Sequence, residues 1–418
     1  MTLPFIEDDY PRALAEAKAK NKLLFVDVWA TWCHACLSLK SYVFSAPEMR
    51  KVADQFVWLS VDNENEKNLA FVEKYKSDGL PALWVVDASG QVLWRLMGTL
   101  SAPELVAELQ SVGNKTVPAA QASLESAYLE ATRADARKDE AAAAKAYEKV
   151  LAMAPANWPK RPAAVVAYVN GLGMSKQNDR CTALALKELP SMPLAYRVTL
   201  AGTAAMCARG AAKGTAANAA LGALIKELTD IAHTKASVLP DDRSDIFRLL
   251  ISSLKATDQS AAAKQMANEW VTFLEDEARR ASDPQARAVF DSHRTAAYTE
   301  VGDPGRAIPM LQESERDFPK DYNPSTRLSR VYLRLKRYDE ALDAANRGLA
   351  KAYGPSKLSV YQLKADIAAA KSDRVLERKT LDDALLFAST LPPLSDWQIE
   401  SRAELTERRR KLGPAAPP

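Results

Sequence analysis

The chain has 418 residues, of which 47% are hydrophobic and 26% are charged. This composition is typical of a folded globular protein and excludes a disordered or fibrous chain. The 56 basic and 53 acidic side chains leave a net charge of +3, which is too small to attract nucleic acid or an acidic membrane surface. Four cysteines are too few for a disulfide scaffold, so cysteine is here either incidental or chemical.

Neither a membrane span nor an export signal is expected from the sequence as it stands. No apolar run reaches the ~18 residues that cross a bilayer. The first ten residues, MTLPFIEDDY, have neither the basic nor the apolar region of a signal peptide. A chain trimmed of its signal peptide would begin in the same way.

Two regions of different composition follow each other. Five of the eight tryptophans lie within residues 1–113, where 11 basic and 15 acidic side chains give a net charge of −4, whereas the remainder carries +7. Glycine, proline and serine in residues 112–123 indicate a connection between the two regions. We predict a domain at residues 1–113, a linker at 114–122, a helical domain at 123–412 and a disordered tail at 413–418.

Short β-rich runs alternate with helical segments in the first region. In chain order we predict a helix over residues 11–20, a buried central strand over 23–29, a strand over 56–61, and a hairpin of strands over 82–86 and 91–96. Ser45 and Ser101 each begin a Ser-Ala-Pro-Glu sequence, a capping box that predicts a helix start. The alternation predicts a compact α/β sandwich.

The second region is rich in alanine and predicted to be helical throughout. Residues recur at a spacing of 34, as in Tyr298 and Tyr332 or Ala307 and Ala341, which is the tetratricopeptide period. Residues 328–349 look like one such unit. The repeat is degenerate over residues 157–290, where helical hairpins are inferred only by continuity.

A CxxC motif, Trp32–Cys33–His34–Ala35–Cys36, follows the central strand and precedes a helix predicted to begin near His34. By itself this motif fits either zinc binding or redox chemistry. Zinc would need two further ligands at a similar spacing. The other candidates, Cys181, Cys207, His233 and His293, are widely separated in the second region, so we predict no metal site.

Redox chemistry suits a cysteine pair at a helix start. Unpaired N–H groups and the positive end of the helix dipole favour a thiolate there, which makes Cys33 the predicted nucleophile. Cys36, one turn later, can then attack the mixed disulfide and release the partner. His34 either favours the thiolate further through partial positive charge or is simply an exposed loop residue.

Residues 22–111 resemble the thioredoxin family. Residues 25–33 (FVDVWATWC) are similar to the strand and lead-in of its active site, residues 75–83 (YKSDGLPAL) to its cis-proline segment, and Gly98 to its glycine after the hairpin. Residues 44–49 (FSAPEM) most resemble the C-terminal thioredoxin domain of the bacterial transmembrane thiol-reductant carrier. The resemblance implies a thioredoxin fold, thiol-disulfide exchange on proteins, and no cofactor beyond the Cys33–Cys36 pair.

The resemblance also implies roles for individual residues. Asp27 would be the proton acceptor for Cys36, with a pKa raised by burial, unless it is a solvated acid at a strand edge. Pro81 would follow a cis peptide bond from Leu80, whose backbone would pair with a substrate strand. Trp32 would cover the thiolate, although an isolated tryptophan is more often part of a core. We therefore assign Trp32, His34, Leu80 and Pro81 to substrate binding and Cys33, Cys36 and Asp27 to catalysis.

Two departures from the family bear on the chemistry. Where thioredoxin has a lysine near the buried acid, this chain has Trp58, which predicts that Asp27 lacks a cationic partner and puts a thioredoxin-like proton route in doubt. The His-Ala dipeptide between the cysteines differs from the Gly-Pro of the strong reductants, so the reduction potential cannot be derived from the motif.

Cys181 and Cys207 have two interpretations. Free cysteines pack as small hydrophobic residues in alanine-rich helices. Alternatively, the two form a structural disulfide between neighbouring helices, which would place the protein in an oxidising compartment. The even number of remaining cysteines and the resemblance to periplasmic carriers favour the disulfide and a bacterial periplasmic or otherwise exported protein; the alternative location is the cytoplasm.

The sequence thus predicts a protein thiol-disulfide oxidoreductase, with the reductase direction favoured, followed by helical repeats that hold a protein or peptide partner. An upstream thiol donor would supply its reducing equivalents, and nucleic acid is not expected as a partner. The alternative is a protein-interaction scaffold in which the thioredoxin-like domain is a docking platform. The presence of both cysteines, the acid and the cis-proline segment favours the enzyme.

Overall fold

A computed structural model describes residues 3–77, 79–113, 122–391 and 396–413. The chain forms two compact units, the first comprising Met1–Asn63 and Lys67–Phe290 and the second Glu64–Glu66 and Asp291–Pro418. Residues 114–121 of the predicted linker and 414–418 of the predicted tail lie outside the described residues. The predicted domain boundaries stay predictions.

The first unit contains a five-stranded sheet. Its strands are β1 (Phe5–Glu7), β2 (Leu23–Trp29), β3 (Phe56–Asp62), β4 (Ala82–Val86) and β5 (Val92–Met97), arranged in the order β1-β3-β2-β4-β5. Strand β3 pairs in parallel with β1 and β2, whereas β4 is antiparallel to both β2 and β5. The predicted strands are confirmed; β1 was not predicted.

Strand β2 is central, as its apolar run, interrupted only by Asp27, predicts. Helices α1 (Tyr10–Ala19), α2 (His34–Ser38), α3 (Leu69–Lys74) and α4 (Ala102–Gly113) flank the sheet. The helix α4 begins with the predicted capping box, because Glu104 accepts from both the backbone N–H and the hydroxyl of Ser101. The sheet and its helices confirm a thioredoxin fold.

The capping box predicted at Ser45 is wrong. The hydroxyl of Ser45 donates to the carbonyl oxygen of Ser41, 2.6 Å away, rather than capping a following helix. The chain continues as a short 3₁₀-helix, Pro47–Lys51, with Ala46 at its N-cap position. The preceding residues Leu39–Val43 form a π-helix that directly extends α2.

Helices make up the rest of the first unit: α5 (Ala122–Ala136), α6 (Glu140–Met153), α7 (Arg161–Met174), α8 (Asn178–Glu188), α9 (Leu194–Gly210), α10 (Ala216–Ala219), α11 (Leu221–Ala232), α12 (Pro240–Ala256), α13 (Ser260–Arg280) and α14 (Pro284–Ala288). The second unit has α15 (Asp291–Glu300), α16 (Ala307–Asp317), α17 (Asn323–Arg334), α18 (Tyr338–Lys351), α19 (Ser356–Ala370), α20 (Arg374–Thr390) and α21 (Asp396–Lys411). The prediction of an all-helical second region is confirmed.

The same turn joins the two helices of successive hairpins. After the first helix comes one residue in the left-handed region, with φ between +57° and +83°. The residue that follows it donates its N–H to the carbonyl five positions earlier in the chain. These left-handed residues are Lys138, Lys176, Asp258, Gly302, Lys336 and Ser372. Because Lys176 and Asp258 belong to this set, hairpins of the same type continue through the region where the sequence repeat is degenerate.

Buried polar contacts join the thioredoxin fold to helices of its own unit. Glu108 on α4 accepts from the Tyr196 hydroxyl on α9 at 2.5 Å and from the indole N–H of Trp94 at 3.1 Å. Burial raises the pKa of Glu108, and these two donors oppose that rise. Arg95 on β5 forms an ion pair with Asp135 on α5.

Cys181 on α8 and Cys207 on α9 form a disulfide with Cα atoms 6.4 Å apart. Both cysteines are buried. Gly173 on α7 provides room for this bridge, because a Cβ atom at Gly173 would lie 3.2 Å from the Cys207 sulfur.

Among the described helices of both units, none combines the length and apolarity that a membrane crossing requires.

Candidate active site

Cys33 and Cys36 lie at the start of α2 and are joined by a disulfide. Cys33 is the N-cap residue, and the backbone N–H of Cys36 donates to its sulfur over 3.1 Å. The N–H of Cys36 therefore points at the predicted nucleophile, an arrangement that favours a thiolate after reduction. Cys33 is 4% exposed and Cys36 is fully buried, so Cys33 is the more accessible of the two sulfurs.

The segment before β4 lies beside the cysteines. Leu80 packs against the cluster formed by Ala30, Cys33 and Cys36. The peptide bond between Leu80 and Pro81 is cis. The N–H of Gly98 donates to the Pro81 carbonyl at 3.0 Å, which ties the segment to the residues after β5. The structure thus brings together three parts of the chain that the sequence singled out separately.

Asp27 lies in the middle of β2, opposite Ser60 on β3 and Leu83 on β4. Its side chain is fully buried, and neither carboxylate oxygen has a hydrogen-bond partner among the described residues. Burial raises the pKa of Asp27 to about 7, and the charge of Lys40 opposes the rise. The alternative of a solvated acid at a strand edge is therefore wrong. An acid with this pKa can accept and return a proton near neutral pH.

Lys40 is the cationic partner that Asp27 was predicted to lack. It lies in the π-helix after α2, where its ammonium group is 3.2 Å from the Ser60 hydroxyl and 3.2 Å from the centroid of the Trp29 ring. Burial lowers the pKa of Lys40, while the charge of Asp27 works in the opposite direction. The prediction of an acid without a cationic partner is wrong, because a different element provides the lysine.

Trp58 itself is a core residue. Its ring is buried against Phe25, with ring centroids 4.8 Å apart, and its indole N–H donates to the Ala53 carbonyl. Trp32, in contrast, is 42% exposed, so the core interpretation of Trp32 does not hold. Its role in covering the thiolate stays a prediction.

His34 contacts a helix far away in sequence. Its Nδ1 atom lies 3.0 Å from both carboxylate oxygens of Asp241, in the first turn of α12. The interpretation of His34 as a plain exposed loop residue is therefore wrong. The next residue, Asp242, accepts from the Thr99 hydroxyl at 2.6 Å, and burial raises its pKa to about 7. Sequence reasoning missed both acids, since the only signal was an acidic pair after a helix-starting proline.

Comparisons with known proteins match the N-terminal and the helical regions of the chain to different families. A family model described as thioredoxin-like matches residues 6–88, and a tetratricopeptide-repeat model matches residues 298–367. Residues 6–88 are therefore a thioredoxin-like domain, and a tetratricopeptide-repeat region follows it.

Curated relatives include the thiol:disulfide interchange protein DsbD of Cronobacter sakazakii, 35% identical over 108 residues, and that of Pseudoalteromonas atlantica, 29% identical over 109 residues. Each match covers 25% of this chain and 18% of the relative, so less than a fifth of those proteins is shared. A solved structure of the DsbD C-terminal domain from Neisseria meningitidis, in the oxidised form, is 21% identical with a TM-score of 0.23 and covers 24% of this chain and 90% of that one.

Proposed function

We propose that this protein is a thiol-disulfide oxidoreductase that exchanges dithiol for disulfide on protein substrates through Cys33 and Cys36. The observation that carries the proposal is a bonded CxxC pair at a helix start, in a fold whose central strand holds a buried acid with a pKa near 7. No metal or organic cofactor is needed, because the cysteine pair itself carries the two electrons.

In the reductase direction, the Cys33 thiolate attacks one sulfur of a substrate disulfide. A mixed disulfide forms, and the first substrate thiolate leaves and takes up a proton. The Cys36 thiol then gives its proton to the Asp27 carboxylate and attacks the Cys33 sulfur. The second substrate thiolate leaves and is protonated, so the substrate gains two electrons and two protons while Cys33 and Cys36 become a disulfide. An upstream thiol donor must reduce that disulfide before the next cycle.

The substrate-binding surface in this proposal comprises Trp32, His34 and the segment of Leu80 and Pro81. Trp32 offers an exposed ring next to Cys33, and Leu80 packs on the cysteine pair. The backbone of Leu80 would pair with an extended substrate segment, as in strand addition to a sheet edge. The tetratricopeptide-repeat region would hold a protein partner and supply selectivity that a small domain lacks.

An exported location belongs to the same proposal. The disulfide between Cys181 and Cys207 is buried between helices and lies in a different part of the fold from the CxxC pair, which fits a structural bond. Structural disulfides persist in oxidising compartments such as the bacterial periplasm. The similarity of the N-terminal region to thiol:disulfide interchange proteins favours the same location.

Insulin reduction by the full chain, with a small thiol as electron donor, tests the activity. We expect Cys33→Ser to abolish turnover and Cys36→Ser to accumulate a mixed disulfide with the substrate, because the resolving thiol is missing. The variant Cys181→Ala/Cys207→Ala is the control, since it removes cysteines that lie outside the site. Full activity of Cys33→Ser would refute the assignment of the nucleophile.

The direction of electron flow is decided by the reduction potential of the pair. A value of about −270 mV would identify a reductant and one of about −120 mV an oxidant. The scaffold alternative predicts instead that Cys36→Ala leaves the cellular phenotype intact and that only substitutions on the substrate-binding surface matter.

A further inference from the structure

Two adjacent acids at the start of α12 contact two parts of the thioredoxin fold that flank the cysteine pair. Asp241 is fully buried and bonds the imidazole of His34, the residue that follows Cys33. Asp242 bonds Thr99, which follows the glycine that is tied to Pro81. Both contacts lie within the first unit, so the helical region contributes side chains to the immediate surroundings of the redox site.

We propose that Asp241 is a positioning residue of the redox site: by pairing with His34 it keeps an imidazolium beside Cys33 and makes the Cys33–Cys36 disulfide a stronger oxidant. This inference rests on the proposed function. It assigns the setting of the potential to a residue outside the thioredoxin fold, more than 200 positions along the chain from the CxxC motif.

The geometry determines the proton on His34. An ionised carboxylate only accepts hydrogen bonds, so Nδ1, which lies 3.0 Å from both Asp241 oxygens, carries a proton when Asp241 is ionised. Partial burial lowers the pKa of His34, but the charge and hydrogen bond of Asp241 outweigh that effect and leave the pKa above its usual value. On the same helix, Asp245 adds to the rise and Arg248 opposes it.

The helix start favours a charged Asp241. Asp241 occupies the first turn of α12, where unpaired N–H groups and the positive end of the dipole stabilise an anion. In the proposed arrangement the buried carboxylate and the imidazole form an ion pair. The ion pair places its positive member next to Cys33 in the chain and its negative member on another helix.

This arrangement acts on the reduced form of the cysteine pair. A neighbouring cation stabilises the Cys33 thiolate, and a more stable dithiol form raises the reduction potential. Because Cys33 is almost buried, water screens this interaction less than it would at a free surface. Loss of Asp241 should therefore destabilise the thiolate and make the disulfide harder to reduce.

The size of the effect follows from the protonation of His34. An imidazole with an ordinary pKa of about 6.5 is roughly one quarter protonated at pH 7, so a raised pKa increases its protonated fraction by at most about fourfold. Removing Asp241 should then shift the equilibrium with glutathione by up to about fourfold towards the disulfide, or up to roughly 18 mV at about 29.6 mV per tenfold change.

The test measures the equilibrium of the full chain with mixtures of reduced and oxidised glutathione, quantifying Cys33 and Cys36 by alkylation and mass spectrometry so that Cys181 and Cys207 are counted separately. Asp241→Asn should be harder to reduce than wild type, by up to about fourfold. In the His34→Ala background the same substitution should have less than half of that effect, because Asp241 acts through His34. The pH at which the alkylation rate of reduced Cys33 rises should also be higher in Asp241→Asn than in wild type.

Asp242→Asn is the matched control, since it removes a carboxylate from the adjacent residue that bonds Thr99 instead of His34. We expect its potential to equal that of wild type. An unchanged potential in Asp241→Asn, an equal shift in both His34 backgrounds, or an equal shift in Asp242→Asn would each overturn the inference. If the wild-type pair fails to titrate reversibly, the proposed function fails instead, so the two failures are distinguishable.

Discussion

Replacing the buried acid of the central strand should alter the pH dependence of stability in a defined direction. Burial raises the pKa of Asp27 from 3.8 to about 7. The folded protein therefore holds this proton more tightly than the unfolded chain does. The resulting stabilisation is complete below about pH 4 and is lost as the pH rises through 7.

The magnitude follows from the difference between the two pKa values. A separation of about three pKa units corresponds to a loss of about 4 kcal/mol at pH 8, at about 1.36 kcal/mol per unit. By the same linkage the loss is about 1.5 kcal/mol at pH 5. Wild type should thus lose about 2.5 kcal/mol between pH 5 and pH 8 from this group, and Asp27→Asn should not.

Urea unfolding of the oxidised full chain at pH 5, 6, 7 and 8, followed by tryptophan fluorescence, measures this difference. Five of the eight tryptophans lie within residues 1–113, so the signal reports mainly on the thioredoxin fold. Asp54→Asn, which removes an exposed acid of the same fold, is the control and should keep the wild-type profile. Parallel pH profiles for wild type and Asp27→Asn would refute the reasoning.

The lysine provides a second arm of the same experiment. The charge of Lys40 lowers the pKa of Asp27, so Lys40→Met should raise that pKa further and enlarge the loss of stability at pH 8. The stabilisation that Asp27→Asn brings at pH 8 should therefore be greater in the Lys40→Met background than in wild type. An equal gain in both backgrounds would contradict the coupling of the two groups.

Two further predictions concern the helices. Replacing Cys181 and Cys207 by alanine should reduce the free energy of unfolding by about 3 kcal/mol in denaturant titrations, because the bridge closes a loop of 26 residues in the unfolded chain. Equal stability of the wild type with and without reductant would contradict this prediction. Gly348→Ala should cost about 1–3 kcal/mol, since its Cβ atom would lie 2.8 Å from the Thr326 hydroxyl. Gly171→Ala, in open space within a helix, should be neutral or stabilising in the same denaturant titrations.

Most of the sheet was predictable because its strands have local signatures. The β-rich run of Leu23–Trp29 is the central strand, and the turn at Gly90 closes the predicted hairpin. Strand β1 has only three residues, too few for any alternation of polar and apolar side chains to be recognised. The failure at Ser45 has a different cause: the 3₁₀-helix begins one residue later than predicted, with Ala46 as its N-cap, and the Ser45 hydroxyl donates to the Ser41 carbonyl in the preceding turn.

The site was predictable in part. Cys33, Cys36, Asp27 and the segment before β4 each had a motif or an unusual position in the sequence. Lys40 had none, because it lies in a π-helical extension of α2 and approaches the buried acid from a different element than the expected one. The family pattern therefore indicated the right chemical environment but the wrong residue.

Sequence alone determined the elements whose stability depends on neighbours a few positions away: the apolar strands, the capping box at Ser101, the cysteine pair at a helix start and the 34-residue repeat. Only the tertiary structure decided which charges meet. The pairing of His34 with Asp241 spans 207 positions, and the position of Lys40 beside Ser60 depends on how a helix packs on a sheet. Such contacts leave no local periodicity, because they are selected by the burial and charge of the folded site rather than by the conformational preferences of adjacent residues.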